Sequence, residues 1–507
     1  MLKWIVGSKV DHPLADPKQA KTLIAELAPH DYLKALDEIT GWIESLNEIE
    51  GFKLERLFEL AELLDAAAKP HHRKLLHEYL SMSRQQKFQE NRLWTAGFKF
   101  SRALGGLYLK AIHQYQSGGG GAAAVKKQLP VFVARALRTL ALEVKWTMLR
   151  YGPFEATLWR SIGELYTFAD KGGFVDTPLT LQLGAQGGTT VAQDYLKVMM
   201  LWASSADVLA PLKQEIAERS IGHFSKFFKL ASTPFPGALY AFDPLQDRPP
   251  VRLVGTTPNA GALRYFGAGD ATAKLAEVIS VVEQTGGLPS TVSLGASYPP
   301  DTVLGVLRHL ALYWSDKPPA RTFERRAATA RITVVPGYLA LMDELERDES
   351  DALNFSVSSA ESWVVENVSE RGYGALVPSS TTDWIRVGEL IGVQVEGATE
   401  WGVGIVRRVL RDEQRQYHVG IEVISRNVIM VRISQGGTGG EGENAVLLSG
   451  TPNEHGEIGL VMRAGRYDPN LHIEMTGRSK SYKFEPSRML DAGDDFDWAA
   501  FKPVAQA

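Results

Sequence analysis

The sequence of 507 residues contains no cysteine, and this absence excludes several kinds of chemistry. Disulfide bonds, thiolate nucleophiles and zinc sites built on sulfur all require cysteine. A chain without it is compatible with a reducing compartment, and we expect a cytoplasmic protein. Long hydrophobic runs are also missing. The apolar run at the N-terminus is too short for a signal peptide, and no stretch approaches the roughly 20 apolar residues that span a bilayer.

The sequence also lacks a strong excess of charge of either sign. Its 55 lysine and arginine residues and 59 aspartate and glutamate residues give a formal net charge of −4. This balance argues against bulk attraction to DNA or to an anionic membrane, although it leaves room for a local basic patch. The length predicts roughly two to four domains, and the hydrophobic fraction of 44% is that of an ordinary globular protein.

Helical periodicity dominates the first half of the chain. Apolar residues recur at helical spacing in residues 31–49, from Leu54 to a predicted stop at Pro70, and in residues 83–115, 131–151, 154–170 and 191–230. These helices show no fixed repeat period, so no known solenoid is predicted. We therefore expect an all-α domain over residues 1–234 and a mixed α/β connecting region over residues 235–316.

Beyond the breaker at 316–319 the apolar period changes to two. Strand candidates are residues 332–335, 362–368, 390–395, 402–410 and 417–424. Short strands at this spacing predict a small antiparallel β-barrel over residues 317–432. A second β-rich module is expected over residues 444–490, either as a barrel of its own or as a completion of the first. An acidic surface tail is expected over residues 491–507. The predicted fold class is multidomain α+β.

Two short motifs in the first β-rich region have side chains suited to a guanine nucleotide. Arg321 and Arg325 stand four residues apart, and Asn367, Ser369 and Gly372 follow later. An arginine fork can donate two hydrogen bonds to guanine, stack on the base, or clamp a phosphate. An asparagine amide can accept from guanine N1 or N2, and a serine hydroxyl can bond a phosphate or a base edge. Glycine permits a close backbone approach or a positive φ.

The order Arg-x-x-x-Arg followed by Asn/Asp-x-Ser-x-x-Gly resembles the PilZ family, whose domains bind cyclic di-GMP through these two motifs. Residues 384–388, 401–408 and 419–422 continue in the family style, so the resemblance covers about residues 317–432. It implies a cyclic di-GMP site formed by Arg321, Arg325, Asn367, Ser369 and Gly372.

Some features depart from a minimal PilZ domain. Arg326 and Arg331 are close enough to Arg325 to be rival candidates for the second arginine of the motif. The acidic segment 343–350 has a helical pattern and is an insertion between the two motifs. Asn367 stands where aspartate is commoner in the family.

The sequence contains no persuasive catalytic or metal-binding pattern. No Ser-His-Asp order or nucleophile elbow stands out. His71, His72 and His77 share one helical stretch, but no carboxylate completes a metal pattern at the expected spacing. No catalytic residue and no metal ligand are therefore predicted.

The resemblance implies a cyclic di-GMP effector in bacterial signalling that regulates motility, adhesion or biofilm output. Ligand binding would order the segment 318–331 and be conveyed to the helical region, which we expect to bind an unidentified protein partner. One alternative is an interaction scaffold with a purely structural barrel. Another is an enzyme with an active site around residues 255–269. The effector predicts cyclic di-GMP binding, whereas the scaffold predicts no cyclic di-GMP affinity and the same partners with or without the nucleotide.

Overall fold

The computed structural model describes residues 11–82, 87–181, 188–253, 262–319, 324–349, 359–377, 384–414, 416–435, 442–448, 452–476 and 481–504. The chain divides into two compact units. The first contains residues up to Ala206 together with Pro211–Pro319, and the second contains Asp207–Ala210 and the chain from Ala320 onward. Within the described ranges, no helix has the length and apolar character needed to cross a membrane.

The first unit is mainly helical, as the fold class predicts. Its helices are α1 Pro17–Ala25, α2 Tyr32–Glu48, α3 Leu54–Ser81, α4 Lys87–Gln116, α5 Ala122–Val125, α6 Leu129–Met148, α7 Ala156–Lys171, α8 Val191–Ala203, α9 Pro211–Phe224, α10 Ala271–Thr285 and α11 Pro300–Trp314. Helix α6 is buried along most of its length and packs against α4, α7 and α8. It therefore forms the centre of the helical core.

The end of helix α3 differs from the end that the sequence predicted. It continues through Pro70, where the sequence predicted its end, and reaches Ser81. An interior proline costs a helix about 3 kcal/mol. Leu75, Leu76 and Tyr79 lie beyond the proline and are buried. Each such side chain contributes about 1.5–3 kcal/mol on burial, which is enough to offset the cost of the proline.

A small sheet accompanies α10 and α11 at the end of the first unit. Its strands are β1 Lys229–Ala231, β2 Tyr240–Phe242, β3 Val251–Arg252 and β4 Arg264–Gly267. They are arranged in the order β1-β4-β2-β3, with antiparallel pairing. This part corresponds to the mixed α/β character predicted after the helical region. Of the segment 255–269 considered for an active site, residues 255–261 lie outside the described residues.

Two closed antiparallel barrels form the second unit. The first contains β5 Arg326–Pro336, β6 Glu361–Ser369, β7 Gly372–Val377, β8 Leu390–Val395, β9 Gly402–Arg411 and β10 Tyr417–Ser425, with helix α12 Gly337–Glu349 after β5. The second contains β11 Ile429–Gln435, β12 Glu443–Leu447, β13 Ile458–Arg463, β14 Ile473–Thr476, β15 Ser481–Ala492 and β16 Phe496–Pro503. The second β-rich module is therefore a barrel of its own, and the acidic insertion is a helix.

The expectation of an acidic surface tail over residues 491–507 is wrong. Strand β16 pairs with β13 and with β15, so it closes the second barrel. Phe496 and Phe501 are buried on this strand. Asp497 is also buried, and its carboxylate accepts hydrogen bonds from the backbone N–H groups of Arg466 and Tyr467 at 2.8 and 2.9 Å. The acidic residues that suggested a tail lie in and around the β15–β16 turn.

The two barrels share one hydrophobic core, with α12 packed between them. Its buried members are Val335, Tyr338, Leu341, Met342, Leu345, Leu390, Trp401, Val403, Ile405, Val446, Leu448, Val461 and Phe496. Polar contacts reinforce this junction. The hydroxyl of Tyr338 donates to the carbonyl of Asn444 at 2.6 Å, and Arg407 bridges Glu422 of the first barrel and Asp491 of the second. The two barrels therefore form one packed unit.

Candidate nucleotide-binding site

The second sequence motif forms the hairpin between β6 and β7. Ser369 pairs with Gly372, and Glu370 and Arg371 lie at the tip of the turn. The Ser369 hydroxyl donates to the Gly372 carbonyl at 3.4 Å, which is a long hydrogen bond. Because this bond is weak, the hydroxyl can also bind an approaching ligand. The motif is thus at one end of the first barrel, with its polar atoms near the surface.

Strand β5 brings the arginine segment to this hairpin. It begins at Arg326 rather than at Ile332, where the sequence predicted its start. Arg326 pairs with Val368, and Ala327 pairs with Asn367. Alanine has a low strand propensity, and a bulge between Ala327 and Ala330 interrupts the alternation, which explains why the sequence did not reveal this start. Arg325 therefore stands directly before the strand.

The structure separates the candidate arginines. Arg325 is exposed at the start of β5, and Arg326 lines an open depression of about 390 Å³ with Glu324, Val368, Ser369 and Glu370. Arg331 pairs instead with Val364, and its Nη1 donates to Ser362 Oγ at 3.4 Å. That position is three β6 residues from Asn367, or about 10 Å along the strand. Arg321 lies outside the described residues.

Asn367 has a buried acceptor that finds no partner within the described ranges. A bulge between Val365 and Asn367 turns β6 at this point, and the Asn367 amide lies over Gly374. Its Oδ1 atom is buried and makes no hydrogen bond to any part of the chain that the structure describes. An unpaired buried polar atom costs about 1–3 kcal/mol. Guanine N1–H and N2–H are donors that can satisfy this acceptor.

The bulge next to Asn367 is held by a histidine. His418 lies between Glu366 and Asp412, with its ring nitrogens 3.1 Å from each carboxylate. Partial burial opposes protonation of His418, but the two carboxylates outweigh burial and raise its pKa above the usual value. Glu366 precedes Asn367 in the bulge, so this contact helps to fix the direction of the Asn367 side chain.

Gly372 is required by the packing of the barrel. Its φ is not in the positive range, so a left-handed backbone is not the reason for glycine here. A Cβ added at this position would lie 1.9 Å from the Ile421 carbonyl oxygen of β10. The close approach that the sequence suggested therefore involves the neighbouring strand.

Replacing Gly372 by alanine is expected to destabilise the first barrel by about 1–3 kcal/mol, because β7 and β10 must move apart. The measurement is urea denaturation together with hydrogen exchange of the β7 and β10 amides. A matched control is Gly305→Ala in α11, where an added Cβ meets no atom within 4 Å. Equal stability of the Gly372→Ala chain and the unaltered chain would contradict this packing argument.

One basic residue near the hairpin was missed by sequence reasoning. Arg426 follows β10, and its Nη2 donates to the carbonyl of Glu370 at 3.3 Å. It is about 100 residues away from Arg325 and Arg326 in the chain. Only closure of the barrel places the end of β10 beside the β6–β7 turn, so no local pattern could indicate it. Arg426 adds a further guanidinium beside the candidate site.

Metal-binding geometry is absent from the part of the chain that the structure describes. No group of three or more histidine, aspartate or glutamate side chains in those ranges is arranged to hold a metal ion. The guanidinium, amide and hydroxyl groups of the site suit recognition of guanine and phosphate.

Comparison with known families agrees with this geometry. Residues 18–234 match the N-terminal domain of the cyclic-di-GMP receptor FimW, and residues 343–428 match the middle PilZ domain of the same receptor. Together these stretches cover more than half of the chain. Searches among curated proteins and among solved structures gave no significant match.

The two matches confirm the predicted PilZ resemblance and the prediction of cyclic di-GMP as the regulatory ligand. The matched PilZ stretch includes Asn367, Ser369 and Gly372 and begins after the arginine segment. The matched models describe a receptor and not a known class of enzyme. With a closed barrel, the hairpin motif in place and two domains of the same receptor matched in one chain, the protein belongs to the PilZ-domain family of cyclic di-GMP receptors.

Proposed function

We propose that cyclic di-GMP binds where the start of β5 meets the β6–β7 hairpin, and that this binding controls the helical region. The observation that carries the proposed site is the Oδ1 of Asn367, which is buried and has no partner among the residues that the structure describes. In this proposal Asn367 accepts from a guanine N–H, and the Ser369 hydroxyl binds a phosphate or base edge. Gly372 contributes by holding the hairpin against β10.

The arginine segment supplies the second half of the proposed site. Arg321 and Arg325 close over the ligand, with one guanidinium directed to guanine and the other to a phosphate. Arg326 lies in the depression beside Ser369 and contributes to its rim. Arg331 is left out of the proposed site, because its guanidinium bonds Ser362 on the more distant part of β6.

The proposed output is a change in the helical region that alters its binding to a protein partner. Support comes from the position of the arginine segment, which begins immediately after Pro319, the last residue of the first unit. Closure of Arg321 and Arg325 over the ligand would restrain the chain that connects the units. A response follows if cyclic di-GMP binds the two arrangements with different affinity. We propose motility, adhesion or biofilm formation as the regulated process, in keeping with the family.

Replacing Asn367 by alanine is expected to weaken cyclic di-GMP binding by about 5–100-fold, because a hydrogen bond worth about 1–3 kcal/mol is lost. Folding stability is expected to stay equal or rise, because the variant removes an acceptor that lacks a partner in the described part of the chain. Isothermal titration calorimetry measures the first effect, and urea denaturation measures the second. Asn470→Ala, in an exposed loop of the second barrel, is the matched control.

The same titration distinguishes a receptor from a scaffold. A scaffold with a structural barrel would show no heat of binding with cyclic di-GMP and would bind the same partners with and without the nucleotide. Equal affinity of the Asn367→Ala and Asn470→Ala chains would leave the receptor function intact and remove Asn367 from the site.

A further inference from the structure

A large cavity in the first unit lies outside the proposed nucleotide site. It has a volume of about 610 Å³ and is lined by α3, α6, α8, α9 and the loop Ser293–Gly295. A smaller cavity of about 240 Å³ shares His72, Arg73, Arg138 and Leu142 with it. Pockets of about 300–1,000 Å³ are typical of small-molecule sites. The larger cavity is therefore of a size that suits a metabolite.

The cavity is lined by more basic than acidic groups. Its basic side chains are Arg73, Arg138, Lys145, Lys197 and Arg219, and the carboxylates paired with them are Asp194, Glu215 and Glu218. Asp194 is shared by Arg138 and Lys197, and Glu215 is shared by Lys145 and Arg219. Within the described ranges, five cations thus face three anions. Counting the described residues alone, two positive charges of the cavity therefore remain uncompensated, although the formal net charge of the protein is −4.

The histidines of the cavity do not change this balance at neutral pH. Burial lowers the pKa of His72 to about 4, and burial together with Lys226 lowers the pKa of His223. His72 is neutral, and its Nε2 accepts a hydrogen bond from Trp146 Nε1 at 3.1 Å. The excess of two charges therefore belongs to lysine and arginine, which keep their charge across the neutral range.

Several guanidinium donors remain available to a ligand. Arg138 gives its Nε and Nη2 to Asp194, and Arg219 gives its Nε to Glu215 at 2.8 Å. Among the described residues, the Nη1 of Arg138 and the terminal nitrogens of Arg219 have no carboxylate partner. Arg73 is exposed at the junction of the two cavities and makes no ion pair within the described residues. Guanidinium forks match the oxygens of phosphate groups.

Apolar side chains complete the cavity. Leu76 of α3, Leu142 of α6, Leu201 of α8 and Ile221 of α9 line its walls. A ligand that fits must therefore combine a multiply charged anionic group with a less polar body. We propose that this cavity is a second ligand site, which binds a small phosphorylated molecule carrying at least two negative charges at neutral pH. The site is independent of the cyclic di-GMP site in the PilZ domain.

Filling the cavity tests the proposal without removing a charge. Gly222 of α9 lines the cavity, and an added Cβ there meets no atom within 4 Å. Gly222→Leu should therefore occupy the space while the helix is retained. Gly41→Leu in α2 is the matched control, because Gly41 is also helical with open space around it. Calorimetric titration of the full chain with inorganic pyrophosphate is expected to show binding that Gly222→Leu weakens by at least about tenfold and Gly41→Leu leaves unchanged.

A second pair of variants tests the charge. Arg73→Gln is expected to weaken pyrophosphate binding by about tenfold or more, because it removes a charge-assisted contact. Lys74→Gln removes the neighbouring exposed charge, which does not line the cavity, and is expected to have no effect. Cyclic di-GMP affinity is expected to be equal in all of these variants. The cavity proposal can therefore fail while the proposed cyclic di-GMP site stands, and the two results can be told apart.

Three results would overturn the proposal. The first is an absence of pyrophosphate binding by the unaltered chain. The second is equal pyrophosphate affinity in Gly222→Leu and Gly41→Leu together with equal affinity in Arg73→Gln and Lys74→Gln. The third is binding of poly-L-glutamate without binding of pyrophosphate, which would indicate that the cavity binds an acidic segment of a protein.

Discussion

Replacing Arg321 and Arg325 together by alanine is expected to weaken cyclic di-GMP binding by at least about 100-fold. Each guanidinium can make charge-assisted hydrogen bonds to guanine or phosphate, and each such contact contributes about 1.5–3 kcal/mol. Because 1.4 kcal/mol corresponds to a factor of ten, the loss of two contacts gives a factor of about 100 or more. Isothermal titration calorimetry with cyclic di-GMP measures the change directly.

Two single variants make this prediction specific. Arg331→Ala is the matched control, since Arg331 has the same side chain, lies on β5 close to Arg325 in the sequence, and bonds Ser362. Its affinity is expected to equal that of the unaltered chain. Arg326→Ala tests whether Arg326 rather than Arg325 is the second arginine of the motif. A loss of cyclic di-GMP affinity as large as that caused by Arg325→Ala would assign the role to Arg326. Unchanged binding by the double variant would refute the arginine half of the site.

Replacing Lys145 by methionine is expected to lower the free energy of unfolding of the helical unit by about 3 kcal/mol. Lys145 is buried between Glu215 and Glu218, and Glu215 is buried as well. Removing one partner of a buried ion pair typically costs about 3–5 kcal/mol, because the other charge stays without compensation. Arg219 still contacts Glu215 in the variant, so the lower end of that range applies. Guanidinium denaturation followed by the helical circular dichroism signal measures the loss.

This loss is expected to depend on pH. Burial opposes ionisation of Glu215, but Lys145 and Arg219 outweigh burial and lower its pKa. A carboxyl group with a lowered pKa stabilises the fold above its unfolded pKa of about 4.3, and this stability disappears as the pH falls through the folded pKa. The difference between the Lys145→Met chain and the unaltered chain should therefore be greatest near neutral pH and shrink below about pH 4.

A matched lysine provides the control for this experiment. Lys197 is more exposed than Lys145, and its carboxylate partner Asp194 keeps a second contact to Arg138. Lys197→Met is therefore expected to cost about 1 kcal/mol or less. An equal loss in the two variants would show that burial of Lys145 is not the source of its effect.

Local patterns in the sequence predicted the types of secondary structure and the order of the domains better than the residues at which individual helices and strands begin and end. The change of apolar period from helical spacing to two predicted the helical region and the barrel, because burial of one face imposes that period on each element. The patterns failed where local preference and tertiary packing disagree. Helix α3 passes through Pro70, and β7 has two glycines among its first three residues, yet packing of the surrounding residues stabilises both elements.

The site could be predicted only in part, for a similar reason. Asn367, Ser369 and Gly372 form one short hairpin, so their spacing in the sequence reflects their spacing in the fold. Arg325 and Arg326 reach that hairpin through a strand pairing that begins in an alanine-rich segment with weak strand propensity. Arg426 reaches it only through closure of the barrel. Contacts between distant segments leave no periodic pattern in a single sequence.

The core between the two barrels has a consequence for how such a protein can evolve. A chain truncated after the first barrel would lose Val446, Val461 and Phe496, which the second barrel contributes to this core, and an apolar patch would be uncovered where they pack. Large exposed patches of this kind favour aggregation. Recombination that joined the first barrel to a foreign domain would therefore require new polar residues on α12 at the same time. We expect the two barrels to be inherited as a single piece, with compensating substitutions on either side of α12.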